Sequence, residues 1–255
     1  LLVQGVECCF LQGKRVIDLE RHENIFTLTM NAGENRWNTT FVREISAALD
    51  EVEASEGPAA LVTRSASDKF FSNGLDLAWV QAPDEHPEAG DRGAFGDEFM
   101  KFMSRMITFP IPTIAAINGH AFGAGFMSAL CHDVRIMRSD RGFICANEMQ
   151  LGMRIPTPEL ALFRHKLPGN SFFETVQLSK RWTGPEALTG GIVQATAEQE
   201  NLEALAMAKA AELTPLGANR ANYQGQKEAL FGENAVINGP HGAAYMLRNL
   251  EEYQH

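Results

Sequence analysis

The sequence predicts an α/β protein: a core in which strands and helices alternate, followed by a C-terminal part made of helices. Three observations predict it. Up to residue 195, short runs of strand formers alternate with segments of helical periodicity. From residue 196 onward the periodic segments have helical spacing. Between Met106 and His132 no Asp, Glu, Lys or Arg interrupts the chain, which marks either a membrane span or the most buried part of a core. Pro110, Pro112, Asn118, Gly119, His120, Gly123 and Gly125 break that stretch up, whereas a spanning helix needs roughly 20 predominantly apolar residues. It is therefore read as a buried strand, a glycine turn and a buried helix, with no membrane span.

Composition agrees. The 255 residues are 45% hydrophobic and 21% charged, ordinary globular values. A net charge of −10 disfavours a nucleic-acid binder or a basic membrane-surface protein. Cys8, Cys9, Cys131 and Cys145 form no CxxC pair and no metal-ligand spacing; they read as free thiols of a reducing cytoplasm. Residues 1–15 are expected to be a poorly ordered leader; they lack the charged start and unbroken apolar run of a secretory signal. The terminal Glu-Tyr-Gln-His is no peroxisomal address. The expected organisation is residues 1–15 leader, 16–195 core and 196–255 helical region.

Along the chain, Val16–Glu20 and Ile25–Asn31 read as strands around a polar turn. A turn-rich loop follows, then a helix Phe41–Ser55 with Thr39 and Thr40 as candidate caps. Gly57-Pro58 stops it, and Ala59–Thr63 is a strand with almost no polar face, as in a buried parallel sheet. Residues 81–97 read as loop. Phe99–Phe109 reads as helix, Thr113–Asn118 as strand and Phe126–His132 as helix. Val134–Met137 and Gly142–Cys145 read as strands. Helices are expected over 157–166, 171–181, 199–213, 219–231 and 240–253.

No phosphate-binding P-loop or GxSxG nucleophile turn occurs, and Gly119-His-Ala-Phe-Gly-Ala-Gly125 is spaced GxxxGxG rather than GxGxxG. Two glycine turns do stand out where an apolar strand gives way to a helix: Ser72-Asn-Gly-Leu-Asp76 and Gly123-Ala-Gly125. A helix start presents unpaired N–H groups, so two such ends converging would hold a developing oxyanion; the alternative is two ordinary tight turns. Glu148, an isolated acid at the end of a buried strand, is a candidate base whose pKa burial would raise; the alternative is a structural, hydrogen-bonded acid.

Here the sequence resembles the crotonase, or enoyl-CoA hydratase/isomerase, superfamily over roughly residues 16–250. The resemblance rests on Lys69-Phe-Phe-Ser-Asn-Gly-Leu-Asp-Leu77 and on Pro112-Thr-Ile-Ala-Ala-Ile-Asn-Gly-His-Ala-Phe-Gly-Ala-Gly125 with Cys131-His-Asp133. Arg181-Trp-Thr-Gly-Pro-Glu-Ala-Leu188 also carries it. Arg138-Ser-Asp-Arg-Gly-Phe143 and Asn147-Glu-Met-Gln-Leu-Gly152 resemble Δ3,Δ2-enoyl-CoA isomerases most. The resemblance implies a spiral of ββα units, a helical trimerisation region, and a homotrimer or dimer of trimers. It also implies an acyl-CoA substrate with no other cofactor and no metal, and a role in fatty-acid β-oxidation.

By motif position, Leu75 and Ala124 are the implied oxyanion donors. Hydratases of the family use two glutamates; the first matches Met127 here and the second matches Glu148. One remaining base suits an isomerase that shifts a double bond from a 3-enoyl-CoA to a 2-enoyl-CoA. A hydratase (lyase) and a non-catalytic acyl-CoA binder are the alternatives. Met127 is expected to line an apolar pocket with Phe122 and Phe126. Gly74 and Asp76 flank the first donor, and Asp76 is read as a helix cap. Arg36, Trp37 and Lys69 are candidate CoA contacts, the cations for phosphate and Trp37 for stacking. His120 reads as a satisfied histidine, His132-Asp133 as a structural pair, and Glu159 as a second acid near the pocket.

Overall fold

The computed structural model describes residues 16–233 and 241–253; the leader and the start of the helix expected at 240 fall outside them. Strands β1 (Ile17–His22) and β2 (Ile25–Met30) pair antiparallel, and helix α1 (Thr39–Ala54) follows. The chain then repeats one unit three times: a strand in a large sheet, a short strand in a small sheet, then helix. Strands β3 (Ala60–Ser65) and β4 (Phe70–Ser72) lead to α2 (Leu77–Gln81) and α3 (Arg92–Ile107). Strands β5 (Thr113–Ile117) and β6 (His120–Phe122) lead to α4 (Ala124–Leu130). Strands β7 (Val134–Arg138) and β8 (Ile144–Cys145) lead to α5 (Thr157–Lys166) and α6 (Gly169–Val176). Helix α7 (Gly184–Thr189), strand β9 (Ala195–Ala197) and helices α8 (Gln199–Leu213), α9 (Arg220–Phe231) and α10 (Ala243–Arg248) complete it.

The large sheet runs β1-β2-β3-β5-β7-β9 and is parallel from β2 onward; the small sheet runs β4-β6-β8 and is wholly parallel. The large sheet is buried on both faces. Ala60, Val62, Ile114, Ala116 and Ile136 pack against Leu202, Ala206 and Ala210 of α8, while Leu61, Ala115, Ile117 and Met137 face the main core. This is the period-two alternation of a strand with apolar layers on either side. The charge-free window is β5, β6 and α4, and every residue of β5 is buried.

Several sequence expectations are corrected. Asn38, not Thr39 or Thr40, caps α1: its Oδ1 accepts from the Phe41 N–H at 2.9 Å, while the two threonine hydroxyls donate to Asp91 and Glu88 carbonyls. Asn38→Ala is therefore expected to cost about 1 kcal/mol of stability. Thr40→Ala should stay within about 0.5 kcal/mol. Denaturant unfolding of the two variants checks this, and equal losses would contradict the cap assignment. Helix α3 begins at Arg92, inside the segment read as loop, because Asp91 caps it through the Gly93 N–H. Glycine-framed β6, helix α7 and three-residue β9 lie outside the sequence expectations, and α6 runs 169–176 rather than 171–181.

The helical region is stitched to the core. Lys227 Nζ of α9 stands 2.8 Å from Asp133 Oδ2, which also accepts from Tyr223 Oη and Thr113 N–H. His132 donates from Nδ1 to the Ser128 carbonyl and accepts at Nε2 from Thr63; burial pushes its pKa down to about 4, so it stays neutral. The pair is structural, as expected.

Candidate functional site

The small sheet builds the site. Its three parallel strands end side by side, and each hands the chain to a turn at the same edge. After β4 comes Gly74-Leu75, after β6 Gly123-Ala124, and after β8 Asn147-Glu148. The order β4-β6-β8 puts β6 in the middle, so Ala124 is flanked by the first turn and by the acid. Carboxyl ends of parallel strands are where an α/β sheet leaves room for a ligand.

Two glycines let the turns touch. A Cβ on Gly74, at φ +81°, would lie 2.7 Å from the Phe122 carbonyl oxygen and 3.8 Å from Ala124 N. A Cβ on Gly125 would lie 2.6 Å from the Ser72 carbonyl oxygen. Backbone meets backbone at both points, which side chains would prevent. The Leu75 amide is aimed by a bridge to Trp37. Trp37 N–H donates to Gly74 O at 2.8 Å and Asp76 N–H donates to Trp37 O at 2.9 Å. In such a parallel bridge the N–H of Leu75 itself points away from Trp37. Ala124 opens α4, so its N–H has no helical partner. Neither amide bonds another group among the described residues.

Glu148 stands against the second turn, its Oε1 3.1 Å from where a Gly123 Cβ would be. Its Oε2 is buried with no hydrogen-bond partner among the described residues. Burial holds its pKa above the usual carboxylate value. The two amides, Glu148 and Met127 share a cavity of about 220 Å³. Its apolar wall is Phe95, Phe99 and Met100 of α3 with Leu77. The arrangement offers two N–H donors and a desolvated carboxylate beside an apolar slot, the equipment for proton abstraction next to a carbonyl.

A family model described as enoyl-CoA hydratase/isomerase matches residues 20–254. The chain belongs to that family, the crotonases. The crotonase is 35% identical over 182 residues to the peroxisomal enoyl-CoA delta isomerase 2 of Arabidopsis thaliana, covering 70% of this chain and 76% of the relative. It is 29% identical over 220 residues to the plant's peroxisomal enoyl-CoA delta isomerase 1, covering 84% and 89%. In fold it resembles an enoyl-CoA hydratase/isomerase family protein from Pseudomonas syringae, with a TM-score of 0.79 at 23% identity over 94% of this chain and 97% of that one. Membership brings a CoA-thioester substrate with it.

Of the residues the sequence singled out in this crotonase, Glu148, Leu75, Ala124, Gly74 and Met127 come together on one cavity. Others do not. Trp37 is 1% exposed, its ring packed 4.9–5.1 Å from those of Phe41, Phe99 and Phe102. No face is left for stacking on adenine; its contribution is the backbone bridge to Leu75. Phe122 stacks on His120 at 5.2 Å, and Phe126 packs on Phe163 at 5.6 Å; neither lines the cavity. Lys69 lies at the opposite end of β4 from Gly74, its Nζ 4.9 Å from the Phe70 ring.

Asp76 caps α2 by accepting from the Trp79 N–H, as expected. Arg36 pairs with Glu34 at 2.6 Å and is the one cation, among the described residues, in a neighbouring depression shared with Asp76. His120 accepts from the Phe143 N–H through Nδ1. Among the described residues no cluster of His, Cys, Asp and Glu is placed to hold a metal, and no helix is long and apolar enough to cross a membrane.

Sequence reading misses the α3 wall. Phe99–Phe109 is read as helix, but Phe95 falls in the segment read as loop, where Gly93 and Gly96 disguise the first turns. It also underweights Glu159. That acid sits in the first turn of α5, is 7% exposed, and lines the Glu148 cavity. Burial, and then the neighbouring Glu148 charge, push its pKa up to about 8. The folded chain thus keeps a proton that the unfolded chain releases near the ordinary value of 4.5. Stability from this group is full below that value and is lost as pH rises toward 8. Between pH 5 and 8 the denaturation midpoint should fall more steeply in the native protein than in Glu159→Gln; parallel curves would contradict the shift.

Proposed function

We propose that this crotonase is a Δ3,Δ2-enoyl-CoA isomerase. The observation that carries the reading is Glu148 beside the two free amides, with Met127 where hydratases of the family are expected to hold their other acid. The thioester oxygen of a 3-enoyl-CoA would accept from Leu75 and Ala124 N–H. Glu148 takes a C2 proton, and the electron pair moves onto that oxygen as an enolate. Protonation at C4 with return of the charge leaves the 2-enoyl-CoA. Met127, Phe99 and Met100 keep the slot apolar, which disfavours a bound water nucleophile. Burial that keeps a proton on Glu159 supports Glu148 as the base.

The names of the plant relatives, delta isomerases, support the same choice. Arg36 is part of this proposal as a phosphate contact for CoA. So are a homotrimer or dimer of trimers and a reducing, cytoplasmic location; Cys131 and Cys145 are buried free thiols. Sedimentation of the full chain tests the assembly. The activity is tested by supplying 3-enoyl-CoA and 2-enoyl-CoA separately. Conversion of only the first is expected. Hydration of the second would make the protein a hydratase, and turnover of neither would leave an acyl-CoA binder.

A further inference from the structure

The cavity holds a second carboxylic acid that the single-base scheme does not use. Glu148 arrives from the end of β8 and Glu159 from the first turn of α5, and both line the same slot. Glu159 is almost fully buried, yet no hydrogen bond or ion pair to its carboxyl forms among the described residues. Burying an acid without a partner is costly, and an apolar residue would fill an apolar wall better. Such unpaired buried acids concentrate at sites of chemistry.

Among the described residues, the surroundings offer nothing that would neutralise it. Helix α4, packed against α5, has no ionisable side chain. Glu174 of α6 pairs with Lys180, and Arg248 of α10 pairs with Glu228. Glu251 and Glu252 sit in the final turn, and Arg164, His165 and Lys166 lie at the far end of α5 itself. Arg154, on the cavity rim, forms no ion pair with Glu159. Among the described residues, the charge that acts on the Glu159 carboxyl is that of Glu148. Burial is the larger cause that keeps the proton on Glu159, and the Glu148 charge adds to it.

Resting on the isomerase reading, we propose that Glu159 is a second catalytic residue: the acid that protonates C4 while Glu148 removes the proton from C2. Atoms and electrons balance. The C2–H pair becomes the enolate C1=C2 bond and charge goes to the thioester oxygen. As the enolate collapses, C2=C3 forms and the former C3=C4 pair takes the proton of Glu159. Glu148 is left as the acid and Glu159 as the carboxylate, and passage of one proton between them restores the resting state.

The test is a single turnover in ordinary water, enzyme in excess, of a 3-enoyl-CoA dideuterated at C2. The wild type is expected to place hydrogen at C4, because the deuterium stays on Glu148. In Glu159→Gln, Glu148 must carry the proton itself, so deuterium should reach C4 and the rate should drop by about 10²-fold or more. The wild-type rate should also fall as pH rises through about 8, and the variant should lose that limb. Glu159→Asp, which keeps an acid, should recover part of the rate.

Deuterium at C4 in the wild type, the same label pattern in both proteins, or an unchanged rate and pH profile in Glu159→Gln would overturn the proposal while leaving the isomerase reading intact. A wild type that does not isomerise at all would instead remove the reading on which it rests. Hydration of a 2-enoyl-CoA that depends on Glu159 would reassign the acid to water activation, and so overturn it as well.

Discussion

Glu148→Gln is expected to slow isomerisation of a 3-enoyl-CoA by roughly 10²–10⁴-fold, the range general-base catalysis contributes. The substitution keeps the shape of the side chain and removes its ability to accept a proton. The geometry makes the position unforgiving, since the carboxylate sits against the second turn with Oε2 unpaired. Glu159 is a poor replacement among the described residues, because burial, the larger cause of its raised pKa, still favours its protonated form once the Glu148 charge is removed. The fold should not suffer. An amide is easier to bury than an acid whose burial already raises its pKa, so the unfolding midpoint near neutral pH should hold or rise. The native rate should also fall as pH drops and Glu148 takes up a proton, at a pH above the ordinary carboxylate value. A Gln variant that isomerises as fast as the native chain would remove Glu148 from the mechanism.

How much of this site is legible in the sequence depends on how local each signal is. The two glycine turns and Glu148 are legible because each is local: polar glycine motifs and one acid, each after an apolar run. Their convergence is not local. It follows from the small sheet, whose strands are only two or three residues long. Segments that short carry no periodicity to read. The misread residues have the same cause. Trp37 in a turn-rich loop looks like a stacking surface, but contacts with α3 and α1 decide its burial. Phe122 belongs to β6 and turns its ring away from the cavity, while its carbonyl, invisible to side-chain reasoning, abuts Gly74. Glu159 reads as an ordinary acid at a helix start, where the first-turn N–H groups favour negative charge. Only packing shows that the same first turn shares an apolar-walled cavity with a second carboxylate.

Gly74→Ala is the second large effect expected, and it acts on the oxyanion donors without touching an ionisable group. The backbone at Gly74 has φ +81°, and the new methyl would lie 2.7 Å from Phe122 O, a backbone atom with no rotamer to adjust. An alanine held in that region costs about 1–3 kcal/mol, and the clash must be relieved by separating the two turns. Separation moves Leu75 N–H directly. It moves Ala124 N–H as well, because Phe122, Gly123 and Ala124 are consecutive. Loss of one oxyanion donor typically costs about 10²–10³-fold in kcat, and the displacement of two shared donors should reach that range. A glycine without either constraint is the control. At Gly225, inside α9, an added Cβ would meet no atom within 4 Å; Gly225→Ala should gain about 0.5–1 kcal/mol and leave kcat unchanged. Measured together, kcat and denaturant unfolding separate the outcomes. A Gly74→Ala protein that is destabilised but turns over normally would show that the amides of Leu75 and Ala124 do not hold the thioester oxygen, whereas a loss of kcat well beyond the loss of folded protein places the developing charge between the two turns.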